Sequence, residues 1–176
     1  MKKLITIFFF LLTLNSYGQT KLDSLIFDKV NEYRIENGLS PWVWENKVFL
    51  IAERHNTYQL KISNISHKEL QDVENHEEIN RLAYRFDSVF TNWLRCAENV
   101  AVVNTRDMTL EESATATLEM WIGSPPHNET LLQPNDYEYG AISSHHSTKW
   151  SQSKYADNKS WIYVTLNVYG GSLQSN

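Results

Sequence analysis

The sequence predicts an α+β domain in which helices cover a mainly antiparallel sheet. Three observations favour this fold class: apolar residues recur at helical spacing in the first third of the chain, β-branched segments follow, and the last two such segments are spaced like a hairpin. A parallel sheet would instead need strands and helices in regular alternation. Of the 176 residues, those at 20–176 are enough for one core, so we expect a single domain there.

Residues 1–19 have the layout of a secretory signal peptide. Lys2 and Lys3 precede an apolar run over residues 4–14, and small and polar residues follow up to Gln19. A membrane-spanning helix needs about 20 apolar residues, so this run is too short to serve as a permanent anchor. We therefore expect cleavage near residue 19, no stable membrane anchor after it, and a secreted or periplasmic protein.

The charge and the cysteine content argue against a nucleic-acid partner and against a fold held by disulfides. The formal net charge is −5 and no basic run follows Lys3, so the chain lacks the positive surface that nucleic-acid binding usually requires. Cys96 is the single cysteine, which rules out an internal disulfide. The core must hold the fold alone, and six tryptophans can contribute to it: Trp42, Trp44, Trp93, Trp121, Trp150 and Trp161.

Apolar periodicity and turn residues predict four helices. The first runs from Leu22 to a stop at Asn37–Gly38, and the second covers about residues 45–60. A short helix is expected inside the acidic stretch 68–87, and a fourth from Leu110 to Ile122, where Ser124–Pro125–Pro126 ends it.

Three strands are predicted, at Glu98–Val103, Tyr139–Ser143 and Trp161–Tyr169. The polar segment 144–159 is typical of a hairpin loop, which would contain the pair His145–His146.

Four motifs occur in a fixed order along the chain. They are Val30-Asn31-x-x-Arg34 with Gly38-Leu39-x-Pro41-Trp42, then Ser66-His67, then Ala97-Glu98-Asn99-Val100-Ala101, then Trp121-x-x-Ser124-Pro125-Pro126-His127. Their order and spacing resemble the CAP superfamily of cysteine-rich secretory, antigen 5 and pathogenesis-related proteins, in its bacterial SCP-like branch. The resemblance covers nearly all of the chain after residue 19 and implies a three-layer α-β-α sandwich with a mainly antiparallel central sheet.

The resemblance also implies a cleft formed by two histidines and two acidic residues. His67, Glu98 and His127 match three of these positions, whereas Ser124 stands where animal members carry the second acid. Glu119 and Glu129 are nearby acids that could replace it. A second departure is Pro126, where glycine usually precedes the histidine.

Two neutral imidazoles from separate segments are suited to binding zinc or another divalent metal. A site of His67 and His127 alone would be open and weak, because zinc sites normally have three or four protein ligands. The alternative is that His67, Glu98 and His127 form a hydrogen-bond network that ties a loop to the sheet.

We favour a non-enzymatic binding module whose cleft accepts a metal and a small or extended ligand such as a lipid, a glycan or a peptide. Four aromatic residues could line a groove for an apolar or carbohydrate ligand, although core packing would explain them equally well: Trp42, Trp44, Trp93 and Tyr137.

The alternative function is a hydrolase of peptides or cell-envelope polymers, with His67, Glu98 and His127 as its catalytic residues. These would activate a water, or a nucleophile such as Ser66 or Ser124. Neither serine lies in a Gly-x-Ser-x-Gly elbow, and serines beside turns are more often turn formers.

Three further residues in the sequence invite a functional reading. Cys96 should face the same side of its strand as Glu98, but a lone cysteine is more often a buried apolar side chain than a reactive thiol. His55 and His76 match no position of the family, and His76 lies in an acidic segment that we expect to be solvated.

Overall fold

A computed structural model describes residues 19–69, 82–91, 93–134, 136–151 and 160–171. The expected signal peptide, apart from its last residue, the acidic segment around His76 and residues 152–159 of the predicted hairpin loop lie outside these ranges. In chain order the elements are α1 (Lys21–Glu36), β1 (Val43–Trp44), α2 (Asn46–Ile62), α3 (Leu82–Asp87), β2 (Trp93–Asn104), α4 (Leu110–Ile122), α5 (Pro125–Leu131), β3 (Tyr139–Ser147) and β4 (Trp161–Gly171). None of the helices within the described ranges is long and apolar enough to cross a membrane.

Within the described residues, the sheet has four strands in the order β1-β3-β4-β2. The inner strand β4 is antiparallel to both β2 and β3, whereas the two-residue β1 pairs with β3 in parallel. The predicted mainly antiparallel sheet is therefore confirmed, and β2 is one of its edge strands. Every residue from Trp161 to Gly170 is buried, because β4 has a strand on each side and helices over both faces.

Helices cover both faces of the sheet, which confirms the predicted three layers. Neighbouring residues of a strand point to opposite faces. On β3, Ser143 accepts a hydrogen bond from Asn56 of α2, whereas the Ser144 hydroxyl donates to Asp23 of α1 at 2.5 Å. The helix α2 thus lies on one face and α1 on the other, where α4 packs against α1 and β2.

Each interface between the sheet and a helical layer has its own apolar cluster. On the α1 side, Ile26, Val30 and Trp121 pack against Ile142 and Leu166 of the sheet. On the α2 side, the rings of Phe86 and Phe90 stack on Tyr169, with ring centroids 5.8 and 4.4 Å away. These two clusters hold the layers in place without any disulfide.

Several predicted boundaries were wrong, each for a local reason. Ser124–Pro125–Pro126 does end α4, but it also begins the unpredicted helix α5. Proline is tolerated in the first turn of a helix, because the amide hydrogen that it lacks would have had no partner there. Strand β3 continues through His145 and His146 to Ser147, so this pair lies on a strand and not in the loop.

Two other segments also differ from the expectation. The predicted helix within residues 68–87 is described only as the short α3, Leu82–Asp87. Strand β1 has two residues, too few to show an alternating pattern, and its sequence gave no signal.

Candidate functional site

The predicted site lies at the outer edge of β2, where the two helical layers approach each other. Glu98 and Asn99 are consecutive on this strand and point to opposite faces of the sheet. Glu98 contacts His67, which follows α2, and the Asn99 side chain donates to the backbone oxygen of His127, on α5, at 2.9 Å. The structure therefore brings together all three residues that the sequence proposed.

Glu98 is the centre of a buried polar cluster, with a side chain that is 1% exposed. Its Oε1 accepts from His67 Nδ1 and from Arg85 Nη2, both at 3.0 Å. Its Oε2 lies 2.9 Å from Arg85 Nη1. When the Asn167 amide is oriented to satisfy its neighbours, its nitrogen also donates to Oε2 at 3.0 Å. Both carboxylate oxygens of Glu98 thus have cationic or hydrogen-bonding partners.

These contacts set the charge of Glu98. Burial by itself would raise the pKa of this carboxyl, but the hydrogen bond from His67 and the charges of Arg85 and His55 outweigh it, so the pKa lies below its ordinary value. Glu98 is consequently ionised near neutral pH. Its main effect is to orient the His67 ring: since a carboxylate only accepts, Nδ1 of His67 carries a hydrogen, and in the neutral ring Nε2 then has the lone pair.

The loop that carries His67 is anchored by polar side chains on the buried face of α2. Gln59 accepts a hydrogen bond from the Ser66 amide at 3.2 Å and donates to Thr165 of β4 at 2.8 Å. His55 contacts the Ser66 carbonyl through Nε2 at 2.6 Å, and Arg85 donates to the His67 carbonyl at 3.2 Å. The backbone around His67 is therefore fixed, while its ring remains 55% exposed.

His55 belongs to the same cluster and was missed by the sequence prediction. Its ring is fully buried, with Nδ1 2.8 Å from Glu69 Oε1 and Nε2 3.6 Å from Glu98 Oε1. The Glu69 carboxylate and the Ser66 carbonyl both accept, so both ring contacts are satisfied only when each nitrogen carries a hydrogen. In that form the charges of His55 and Arg85 balance those of Glu69 and Glu98.

A sequence signal for these missed residues did exist. His55, Asn56 and Gln59 occupy the buried face of α2, where Val48 and Ala52 also point. Polar side chains on a core-facing helical stripe need partners, so they predict a buried network even without a family match. Arg85 carried no such signal, since its partner Glu98 lies on another element.

The His67 and His127 rings meet with their centroids 6.4 Å apart and their planes at 48°. Partial burial, with a contribution from His67, lowers the pKa of His127, so this imidazole is neutral at pH 7. Its Nδ1 is fully buried and has no hydrogen-bond partner within the described residues. The site thus presents one oriented imidazole and one neutral imidazole to the same space.

The chemistry of these donors suits a divalent metal only in part. Two neutral imidazoles, one held by a carboxylate, are a common arrangement of zinc ligands. Within the described ranges, however, no group of three or more His, Cys, Asp or Glu side chains is arranged to hold an ion. The fourth family position is Ser124, and the acids proposed to replace it, Glu119 and Glu129, are both exposed.

The proposed nucleophiles have other roles. The Ser66 hydroxyl accepts from the Lys68 amide, and Ser124 is the N-cap residue of α5. Neither hydroxyl is hydrogen-bonded to an imidazole of the described residues. Burial, together with the nearby charge of Glu98, raises the pKa of the Cys96 thiol to about 12, and Cys96 packs against the apolar cluster on the α2 side. The buried-thiol interpretation fits Cys96 better than the reactive one.

The other histidine and aromatic candidates lie elsewhere. His145 is bonded through Nε2 to Glu53 at 2.8 Å on the α2 face of the sheet. Trp42 is buried, and Trp44 packs edge-on against Phe27, so core packing accounts for both. The side chain of Trp93 lies outside the described part of the chain, and Tyr137 lines a cavity separate from the histidine site.

Comparison with known proteins agrees with this architecture. The family model described as "CAP: Cysteine-rich secretory protein family" matches residues 27–168. No curated protein matches the chain significantly.

Three similar solved structures come from bacteria. An outer surface protein of Borrelia burgdorferi aligns with a TM-score of 0.62 and 14% identity, covering 88% of this chain and 96% of the other. An extracellular protein of Bacillus anthracis with an SCP domain aligns with a TM-score of 0.59 and 17% identity over 84% of this chain. A cysteine-rich secretory protein of Staphylococcus aureus aligns with a TM-score of 0.51 and 14% identity over 88% of it. The present chain covers 40% of each of the last two proteins.

Proposed function

Since the chain belongs to the CAP family of cysteine-rich secretory proteins, we propose that it acts after export as a binding domain and not as an enzyme. Its ligands would be a weakly held divalent metal and a small or extended molecule, at the cleft of His67 and His127. Export is supported by the signal-like residues 1–19, and the similar structures described above come from extracellular or outer-surface proteins.

One observation carries this proposal: among the described residues, the carboxylate that touches the paired imidazoles already has other partners at both of its oxygens. The carboxylate oxygens of Glu98 contact His67, Arg85 and Asn167. A general base needs a free lone pair and a pKa near the working pH, whereas the pKa of Glu98 is lowered. Glu98 therefore supports a role in orienting His67 for binding.

His67 and His127 would hold the metal, through the Nε2 lone pair of His67 and a nitrogen of the neutral His127 ring. A bound zinc ion would supply a Lewis acid to which an oxygen of a second ligand can coordinate. With two protein ligands, the ion would keep open positions for that ligand. Binding should weaken in acid, because protons compete with the metal for imidazole nitrogens.

Calorimetry with zinc tests the metal part of the proposal. The purified protein should give a single binding heat that His67→Ala and His127→Ala each abolish, because each ring supplies a ligand. His146→Ala is the matched control, since His146 is an exposed histidine on β3, and it should bind as the parent does. Equal heats from the parent protein and both cleft variants would refute the metal site.

A digest of peptide libraries and peptidoglycan tests the enzymatic alternative. We expect no turnover by the purified protein. Turnover that disappears in Glu98→Gln, while the variant keeps its fold by circular dichroism, would replace the binding proposal with hydrolysis.

A further inference from the structure

A second cavity, of about 400 Å³, lies outside the histidine site. It is bordered by the end of α1, by the segment that leads into β1, and by the residues that lead into β3. None of the side chains that line it belongs to the His67–Glu98–His127 cluster: Arg34, Ser40, Pro41, Val43, Tyr137, Glu138 and Tyr139. Its volume is within the range of small-molecule sites.

Arg34 is the one cationic side chain in the wall of this cavity, and it is 1% exposed. Its guanidinium lies over the Trp42 ring, with Cζ 4.1 Å from the centroid. Nε donates to the Ser40 carbonyl at 3.0 Å, and Nη1 donates to the carbonyls of Leu131 and Gln133 at 2.6 and 3.3 Å. Three of its five N–H groups are thus used, and these contacts fix the guanidinium plane.

The remaining donors of Arg34 are the two N–H groups of Nη2. They make no hydrogen bond to the described part of the chain, and no carboxylate there forms an ion pair with Arg34. Nη2 is not among the fully buried atoms without a partner, so it is open to solvent. Burial lowers the pKa of Arg34 to about 10, which still leaves the group cationic at neutral pH. Because Nη2 is open to solvent and has no carboxylate partner, a ligand anion can replace water there and pair with a guanidinium that is already held in place.

We propose that this cavity binds a ligand carboxylate at Nη2 of Arg34, with an apolar or aromatic body against Pro41, Val43, Tyr137 and Tyr139. A planar guanidinium is the preferred partner of a carboxylate in proteins, and the walls offer aliphatic and aromatic surface for the rest of the ligand. Glu138 lines the cavity and is exposed, and its negative charge favours a monocarboxylate over a multiply charged anion such as phosphate.

Fluorine-detected NMR with 4-fluorophenylacetate tests this site. The neutral isostere 4-fluorophenylacetamide is the control ligand, and EDTA in the buffer removes metal that could bind a carboxylate at the histidines. We expect the acid to bind at least about tenfold more tightly than the amide, because only the acid complements Arg34. Equal affinity for both compounds, or no binding of the acid, would overturn the proposal.

Val43→Trp localises the binding without disturbing Arg34. Val43 is 59% exposed and lies at the cavity wall, so a larger side chain should fill the space with little effect on folding. The variant should bind the acid at least about tenfold more weakly at an unchanged melting temperature, whereas Leu94→Trp, at an exposed position outside the cavity, should bind normally. Unchanged affinity in Val43→Trp would show that the acid binds elsewhere.

Two further experiments ask which kind of molecule supplies the carboxylate and at which of the two sites it binds. The first uses a short peptide that ends in phenylalanine, and its amidated form is the control. If the free-acid peptide binds more tightly than 4-fluorophenylacetate, the natural ligand is a peptide C-terminus; if it binds more weakly, the ligand is a free organic acid. The His67→Ala/His127→Ala double variant should bind the acid as the parent does. Loss of binding in that variant would place the acid at the histidine site and refute the separate cavity.

Discussion

At the scale of single residues, the buried Arg85–Glu98 pair is the contact on which the histidine site depends most. Both side chains are 1% exposed, so neither charge is stabilised by water. A buried ion pair adds little net stability when intact, but removing one partner leaves an uncompensated charge. The pair therefore secures the position of His67 more than it stabilises the fold.

Arg85→Met should lower the free energy of unfolding by about 3–5 kcal/mol, because Glu98 would stay buried without its cation. Arg106→Met is the matched control: the Arg106 side chain is 59% exposed, and its loss should change the unfolding free energy by less than about 0.5 kcal/mol. Urea denaturation followed by tryptophan fluorescence measures both. Similar small losses in the two variants would contradict the charge-pair argument.

The depressed pKa of Glu98 predicts a loss of stability in acid. The ionised carboxylate stabilises the fold above about pH 4.3, the ordinary glutamate pKa in unfolded chains, and this contribution disappears as pH falls through the lower folded-state pKa. Unfolding free energies between pH 6 and 3 should therefore fall more steeply for the parent protein than for Glu98→Gln. Parallel pH profiles would show that the folded-state pKa of Glu98 is not depressed.

The sequence predicted which residues meet at the site better than it predicted what surrounds them. His67, Glu98 and His127 stand in recognisable motifs, but Arg85 and Asn167 do not. Arg85 on α3 and Asn167 on β4 matter because both contact Glu98 on β2. Contacts between separate elements follow from the packed fold and not from local sequence patterns.

At the scale of elements, the helix termini show how far local sequence rules extend. Thr109 and Glu112 form a complete capping box at the start of α4, with Thr109 Oγ1 accepting from the Glu112 amide at 3.2 Å. Ser124 is the N-cap residue of α5, but its side chain makes no capping hydrogen bond. Thr109 and Ser124 are both preferred N-cap types, but of the two only Thr109 makes a capping hydrogen bond.

Thr109→Ala should lower the free energy of unfolding by about 1 kcal/mol, since a capping hydrogen bond is lost. Ser124→Ala should cost less than about 0.5 kcal/mol, because no such bond exists there. Thermal unfolding of the two variants at one pH gives the comparison. An equal loss for Ser124→Ala would mean that its hydroxyl caps α5 in solution.

Long elements were the most predictable, and short ones the least. The periodicity of α1, α2 and α4 extends over several turns, and most residues of β4 are β-branched or aromatic. Helix α5 begins with two prolines that also read as a stop signal, and β1 consists of Val43 and Trp44 alone. Tertiary contacts decide such segments, because their local signals are weak or contradictory.

At the scale of the whole molecule, burial predicts a gradient of local stability. The inner strand β4 is hydrogen-bonded on both sides and buried throughout, whereas β1 pairs at only two positions and Val43 is exposed. Amide protons of buried inner strands usually exchange only through global unfolding, and those of short edge pairings through local opening.

Native-state hydrogen exchange should therefore give the amides of Ile162, Val164 and Leu166 an opening free energy equal to that of global unfolding. The Val43 amide, which donates to Glu138 at the sheet edge, should show a smaller value that does not change with denaturant. Equal protection of β1 and β4 would mean that the sheet opens only as one unit.

The family resemblance predicted both the three layers and the pairing of the histidines, but it did not show why the two rings meet. Sixty residues separate His67 from His127, and only the placement of β2 at the sheet edge lets a loop from one layer approach a helix of the other. Family resemblance supplied the pairing, and the sheet order supplies its physical reason.

The position of the paired imidazoles has a mechanical consequence. One ring belongs to the segment after α2, and the other belongs to α5 on the opposite side of the sheet. A molecule that contacts both rings therefore connects the two helical layers. Its binding energy would resist their separation, and it would raise the melting temperature and slow proteolysis with no change in the core. Occupancy of the cleft could then be followed by thermal shift alone, before its natural occupant is identified.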